Sequence, residues 1–177
     1  MSELRTNRIV PRDGLASGSA GGIIQVRSTT LTSTFTPAVN TSFQDVTGLS
    51  VAITPTRSDS KILVMYDMNW ATTNGHCSCR LMRDSTPIKV GDGSGNRTPV
   101  TGQIYWTSGD QYDLENVSGT FLDSPATTSA TTYKMQVATP HQSSSYRVKV
   151  NHHAEDGANA AWIGRGASTI TVMEVSG

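Results

Sequence analysis

The tightest grouping of reactive side chains is the pentapeptide HCSCR, which holds His76, Cys77, Cys79 and Arg80. A zinc site would need a second ligand pair at suitable spacing elsewhere, and the sequence has none. At i and i+2 of a strand the two cysteines share a face, a poor geometry for a disulfide with each other, so free buried thiols are expected. GDGSGNRT sets Asp92, Ser94 and Asn96 at alternate positions, as at the start of a calcium loop, but lacks the acidic residue that closes one. It reads as a Gly-rich turn. NHHAEDG gathers His152, His153, Glu155 and Asp156. Adjacent histidines on extended backbone point to opposite faces, so one chain cannot bring His152 and His153 to one metal. In a trimer, one of them can meet its symmetry mates on the axis. An exposed polar loop is the expected form, with no metal and no cofactor.

Aromatic faces stack on sugar rings, which makes Trp70, Trp106 and Trp162 the remaining candidates. Trp70 continues an apolar stripe and reads as core. Tyr105 and Trp106 are neighbours on a predicted strand, so one of them must face away from the core. Trp162 follows the small-residue stretch GANAA and is the best single candidate for an exposed platform, although core or subunit contact accounts for it as well. No nucleophile elbow, no Ser/His/Asp ordering and no phosphate-cradling Gly motif stands out, so no catalytic residue is named. Carboxylate pairs for glycoside cleavage assemble in space and leave no mark in sequence. Recognition, where present, is expected from the loops around 91–101 and 152–165, with Asp92, Asn96, Arg97, His152, His153 and Trp162 as the receptor- or glycan-binding candidates.

The elements that must hold these loops are strands. Ser and Thr make up about a quarter of the 177 residues, and charged residues only 16%, against roughly 25% in ordinary soluble domains. Thr suits a half-buried pleated surface and Ser the turns between strands. Fourteen basic residues balance fourteen acidic ones, which argues against nucleic acid or an anionic membrane as the main partner. No apolar run suits a secretory signal or a membrane span, so synthesis in a cytosol is expected.

Helical periodicity is nearly absent, while period-two alternation recurs. KILVMYDMNW puts Ile62, Val64, Tyr66, Met68 and Trp70 on one face, with Leu63 and Met65 on the other. A strand apolar on both faces is covered on both sides, and in a small antiparallel protein another subunit often supplies the second cover. Leu63 and Met65 are therefore trimer-interface candidates. HCSCRLM, TYKMQVA, SYRVKVN and STITVMEV alternate in the same way. Further strands are expected at IIQVRSTTLTSTF, SFQDV, LSVAITP, GQIYWTS and SGTFLD, giving nine or ten in all. The expected fold class is all-β, an antiparallel jelly-roll β-sandwich spanning 23–177, with a closed barrel as the alternative.

Residues 1–22 differ from the rest. LRTNRIVPRDGL is interrupted by Pro11 and Gly14, and GLASGSAGG works as a flexible hinge. Leu4, Ile9 and Val10 are too few to offset the entropy of ordering the segment alone. Such an arm suits docking against a partner, with the three apolar residues setting register and Arg5, Arg8 and Arg12 pairing with acidic groups.

The run from GGIIQVRSTTLTSTFTP through SFQDVTGLSVAITPTRSDSKILVMYDM resembles a module widespread in phage tail fibres, particularly of cyanophages and prophages. GASTITVMEV resembles the module's terminal strand, and LRTNRIVPRDGL its short N-terminal attachment segment. The module is similar to the trimeric jelly roll of the C1q and tumour-necrosis-factor type. The resemblance implies a non-enzymatic virion protein located on the tail: a short fibre, or a baseplate-attached one, docked to other tail proteins through its arm. It implies a homotrimeric β head for adhesion to host-surface polysaccharide. A trimeric capsid decoration protein and a glycan-trimming enzyme are the alternatives.

Overall fold

Alternation along most of the longer strands gives them a continuous apolar face, and such faces are stable only when two sheets close on one another. The computed structural model describes residues 22–38, 42–73, 75–106, 113–140, 147–153, 161 and 163–176. Among them there is no helix, hence none long and apolar enough to cross a membrane. Ten strands form two antiparallel five-stranded sheets.

The first sheet contains β1 (Ile23–Leu31), β10 (Ser168–Val175), β3 (Lys61–Thr72) and β7 (Glu115–Asp123), in that order. Its fifth strand, β9 (Val148–Val150), pairs with the end of β3. The second sheet runs β2 (Gln44–Ile53), β8 (Thr131–Ala138), β4 (Gly75–Arg83). The free side of β4 is shared by β5 (Thr86–Ile88) and β6 (Gly102–Trp106). The expectation of an all-β antiparallel sandwich holds.

The core lies between the sheets where the alternation predicts it. Ile62, Val64, Tyr66, Met68 and Trp70 of β3, with Ile170 and Val172 of β10, are buried from one side. Cys77, Cys79 and Leu81 of β4 and Tyr133, Met135 and Val137 of β8 are buried from the other. Each large apolar side chain removed from water in this way contributes about 1.5–3 kcal/mol. Tyr146, expected on the same inward stripe as Val148 and Val150, lies outside the described residues.

SFQDV and LSVAITP, expected as two strands, form the single β2, whose pairing with β8 shifts between Asp45 and Ser50. The cause is an irregularity at Thr47–Gly48: Gly48 has φ +87°, open to glycine at little cost. The three extra residues that β2 accommodates between Asp45 and Ser50 let Val46 and Leu49, three apart, both face the core. A Cβ on Gly48 would sit 2.9 Å from Leu31 Cδ1, so a side chain there would also have to displace the end of Leu31.

Two polar clasps tie the sandwich together. Asp123, at the end of β7, accepts hydrogen bonds from Arg83 Nη1 at 2.8 and 3.0 Å and from the Tyr133 hydroxyl at 2.6 Å, so β7 of the first sheet is joined to β4 and β8 of the second. Burial, and then the bond to Asp123, push the Tyr133 phenol above its ordinary value and keep it a donor. At the opposite edge, Glu174 points into the sandwich and is fully buried. It accepts from Gln25 Nε2 at 2.6 Å, from the Thr56 backbone N–H at 2.7 Å and from the Thr56 hydroxyl at 2.8 Å. Burial acts to raise its pKa, but these donors prevail and hold it below the ordinary 4.5.

Candidate binding faces

Because the inner faces are used up by the core, any recognition surface must come from the outer faces and the loops. On the first sheet, the register places Val26 beside Met173, Met173 beside Leu63, and Leu63 beside Leu122. This is one unbroken apolar row across all four main strands. The next row is Ser28, Thr171, Met65 and Thr120, and the third is Thr30, Thr169, Asp67 and Ser118. Met65 is 40% exposed, Leu122 56% and Val26 48%. Ser28 and Thr171 are joined hydroxyl to hydroxyl at 2.8 Å, as are Thr30 and Thr169 at 3.0 Å. Small side chains around Met65 leave a depression of about 400 Å³ between Thr120, Thr169 and Thr171. Leu63 and Met65 therefore lie on the outer face, where the alternation puts them.

The outer face of the second sheet has the opposite character. Asp45 pairs with Gln136, and Gln136 with Arg80, across three strands. Asp45 accepts from Lys134 Nζ and from Gln136 Nε2, each at 2.8 Å. The Arg80 guanidinium lies 3.7 Å above the Phe43 ring and donates through Nε to the Pro99 carbonyl at 3.1 Å. That last bond moors the 91–100 loop to the sheet. Gly91 N–H to Val100 O at 3.3 Å, Thr101 N–H to Cys79 O at 2.9 Å and the Thr101 hydroxyl to Lys89 O at 3.1 Å close the loop's base. At its tip Arg97 N–H meets Ser94 O at 3.0 Å, with Gly95 at φ +56° in the turn. The Gly-rich turn expected at GDGSGNRT is therefore an ordered excursion with a built base.

Between this loop and the β4–β6 edge lies a cleft of about 520 Å³. Asp92, Asn96 and Arg97 line it from the loop, and Ser78 and Gln103 from the strands. Gln103 Nε2 donates to Ser78 Oγ at 3.1 Å, which fixes the floor. Two residues along β6 on the same face stands Tyr105, 59% exposed, its ring 4.4 Å from that of His76 at an interplanar angle of 36°. His76 is the cross-strand partner of Tyr105.

His152 and His153 correct an expectation. Both are buried, at 4% and 6% exposure, and not displayed on an open loop. The reason is Asn151, itself fully buried at φ +63°. Its Nδ2 donates to Leu31 O at 2.8 Å and Ser33 O at 3.0 Å, its N–H to Asn69 O at 2.9 Å, and its Oδ1 accepts from the Ser168 hydroxyl. These bonds turn the chain inward just after β9, and His152 Nε2 then reaches Thr36 Oγ1 at 3.0 Å. No pattern at 151 announces this hub beyond the tolerance of Asn for the left-handed region. Among the described residues no three His, Cys, Asp or Glu side chains gather as metal ligands would.

Cys77 and Cys79 are free and buried, as expected, and burial pushes both thiols up to about 12, which leaves them inert at neutral pH. Trp70 is core. Trp162, the side chain of Trp106, and the arm residues Leu4, Arg5, Arg8, Ile9, Val10 and Arg12 lie outside the described residues.

No family model matches the chain, and no curated protein matches it. Among solved structures, one described as the structure of the infectious bursal disease virus Gx strain aligns with 97% of this chain at 12% identity and a TM-score of 0.40. The alignment takes in 44% of that viral chain, so this protein spans less than half of its neighbour's length.

Proposed function

We propose that the chain is a non-enzymatic structural protein of a phage particle: a short tail fibre or baseplate-attached fibre whose trimeric β head adheres to host-surface glycan. The observation that carries this reading is the apolar row Val26–Met173–Leu63–Leu122 with Met65 beside it. A row of this kind across the centre of a sheet is the mark of a subunit contact, since monomeric domains rarely leave contiguous apolar surface open. The hydroxyl-rich rows next to it offer small, mutually bonded groups that let a neighbouring subunit approach closely.

The strand order supports the jelly-roll part of the reading. β1, β2, β3 and β4 alternate between the two sheets, as do β6, β7, β8 and β9, while the first and last strands pair with each other. Crossing connections of this type, rather than hairpins, wrap a jelly roll. The arm at 1–22 is the attachment segment, and three copies strengthen individually weak docking through effective concentration.

Light scattering on the full chain, with antibody labelling of particles, tests the proposal. A trimer labelled at the tail is the expected result. A monomer removes the head from consideration as a trimeric fibre, and label on the capsid transfers the protein to a decoration role.

A further inference from the structure

We infer that the cleft between the 91–100 loop and the β4–β6 edge is a binding site for a neutral hexose oligosaccharide, with Tyr105 as its stacking platform. A glycan site needs an aromatic face for the apolar side of a pyranose and planar polar groups for its hydroxyls. Both are present on one outer face. Tyr105 is exposed, yet its ring is backed by His76, so it is held in place instead of sweeping through solvent. Gln103 points the same way two residues earlier, roughly 7 Å along the strand, and leads into the cleft. There the amides of Gln103 and Asn96, the Asp92 carboxylate and the Arg97 guanidinium supply both donors and acceptors.

The volume of about 520 Å³ falls within the ~300–1,000 Å³ of small-molecule sites. One Asp and one Arg leave the lining without net charge, and this selects a neutral sugar over an acidic one. The loop is preorganised by the Arg80–Pro99 bond and the closed base, so little ordering cost falls on binding. The inference rests on the adhesion reading for its biological setting, whereas binding itself is a property of the purified chain.

The test is an array of gluco-, galacto- and manno-configured neutral oligosaccharides, with oligogalacturonates as the acidic set, probed with the purified full chain. At least one neutral series should bind. Tyr105→Ala should weaken that binding about tenfold, the order expected from loss of one aromatic contact, whereas Tyr105→Phe keeps it. Asn96→Ala and Arg97→Ala should each weaken it several-fold, and Arg57→Ala, exposed in the turn before β3, should not, with unchanged thermal midpoints showing that all variants fold. Binding to no neutral sugar, binding to the acidic set alone, or full binding by Tyr105→Ala would overturn the assignment. Particle labelling separates the two readings. Glycan binding without tail label sinks the fibre and leaves the cleft. Tail label without glycan binding does the reverse.

Discussion

On the outer face of the first sheet Val26, Met173, Leu63 and Leu122 stand side by side, whereas the second sheet presents Asp45, Gln136 and Arg80 across its middle. Both sheets put the same kind of side chain inward: Ile, Val, Met, Leu and aromatics, fully buried. The inner faces therefore say only that a sandwich forms. The outer faces differ: one carries an apolar row beside rows of small hydroxyl side chains, the other is charged, internally hydrogen-bonded and edged by an aromatic. Under the reading proposed above, the apolar side is the one for association and the polar side the one for recognition.

The largest expected effect tests the apolar side. Leu63→Asp or Leu122→Asp places a charge in the row and should convert the proposed trimer to a folded monomer in light scattering. Ser50→Asp, an exposed position on the outer face of β2, should leave the trimer intact. Equal effects from both sheets would end the distinction between the faces.

A smaller effect concerns what holds the faces in register. Asp123→Ala removes the acceptor for Arg83 and for the buried Tyr133 hydroxyl. Arg83 is partly exposed and can recover water, but the phenol cannot. The expected loss is about 2–3 kcal/mol in denaturant unfolding. An unchanged midpoint would mean that the sheets are held by the apolar core alone.

Much of this arrangement is legible in the residues, and the failures share a cause. The alternation of KILVMYDMNW alone separates Ile62, Val64, Tyr66, Met68 and Trp70 from Leu63 and Met65, because burial of one strand face is a local, period-two property. β5 escapes notice since Thr86-Pro87-Ile88 is only three residues long, with a proline tolerated on a short edge strand. Reading β2 as two strands follows from treating Thr47–Gly48 as a turn when it is a bulge. The burial of Glu174, His152 and His153 is not legible at all, because it depends on partners more than a hundred residues away, such as Gln25, Thr56 and Thr36. Alternation requires Tyr105 or Trp106 to face outward; only the register with β4 shows that Tyr105 does.

Acid should probe the edge where β1 and β10 meet. Glu174 has its pKa lowered from 4.5 by Gln25 and Thr56, in spite of burial, so its ionised form stabilises the fold. That contribution is complete above the unfolded value and is lost as pH falls through the lower folded value. Thermal midpoints should therefore drop below about pH 4.5, and Glu174→Gln should flatten this part of the profile at some cost in stability at neutral pH. The same acid slope in both proteins would assign the effect to other carboxylates, Asp45 first among them, an exposed group whose pKa is also lowered, partial desolvation being outweighed by Lys134 and Gln136.

The smallest effect is expected from deleting residues 1–20, and it decides what covers the apolar row. The arm joins the head at Gly22, whose carbonyl accepts from Ser176 N–H at 3.0 Å, and Ile23 begins β1 opposite Val175. The junction is thus at the end of the apolar face, close enough for an arm to fold back over Leu63 and Met65 in place of a second subunit. Besides Met1 and Leu15 at its two ends, Leu4, Ile9 and Val10 are the large apolar residues the arm brings, too few to match a row that spans four strands. A second copy brings an equal row of its own. The truncated chain should therefore remain a trimer with an unchanged thermal midpoint, and should fail only to join particles. If truncation instead produces larger aggregates or a lower midpoint, the arm is the cover, and the subunit contact must be sought elsewhere.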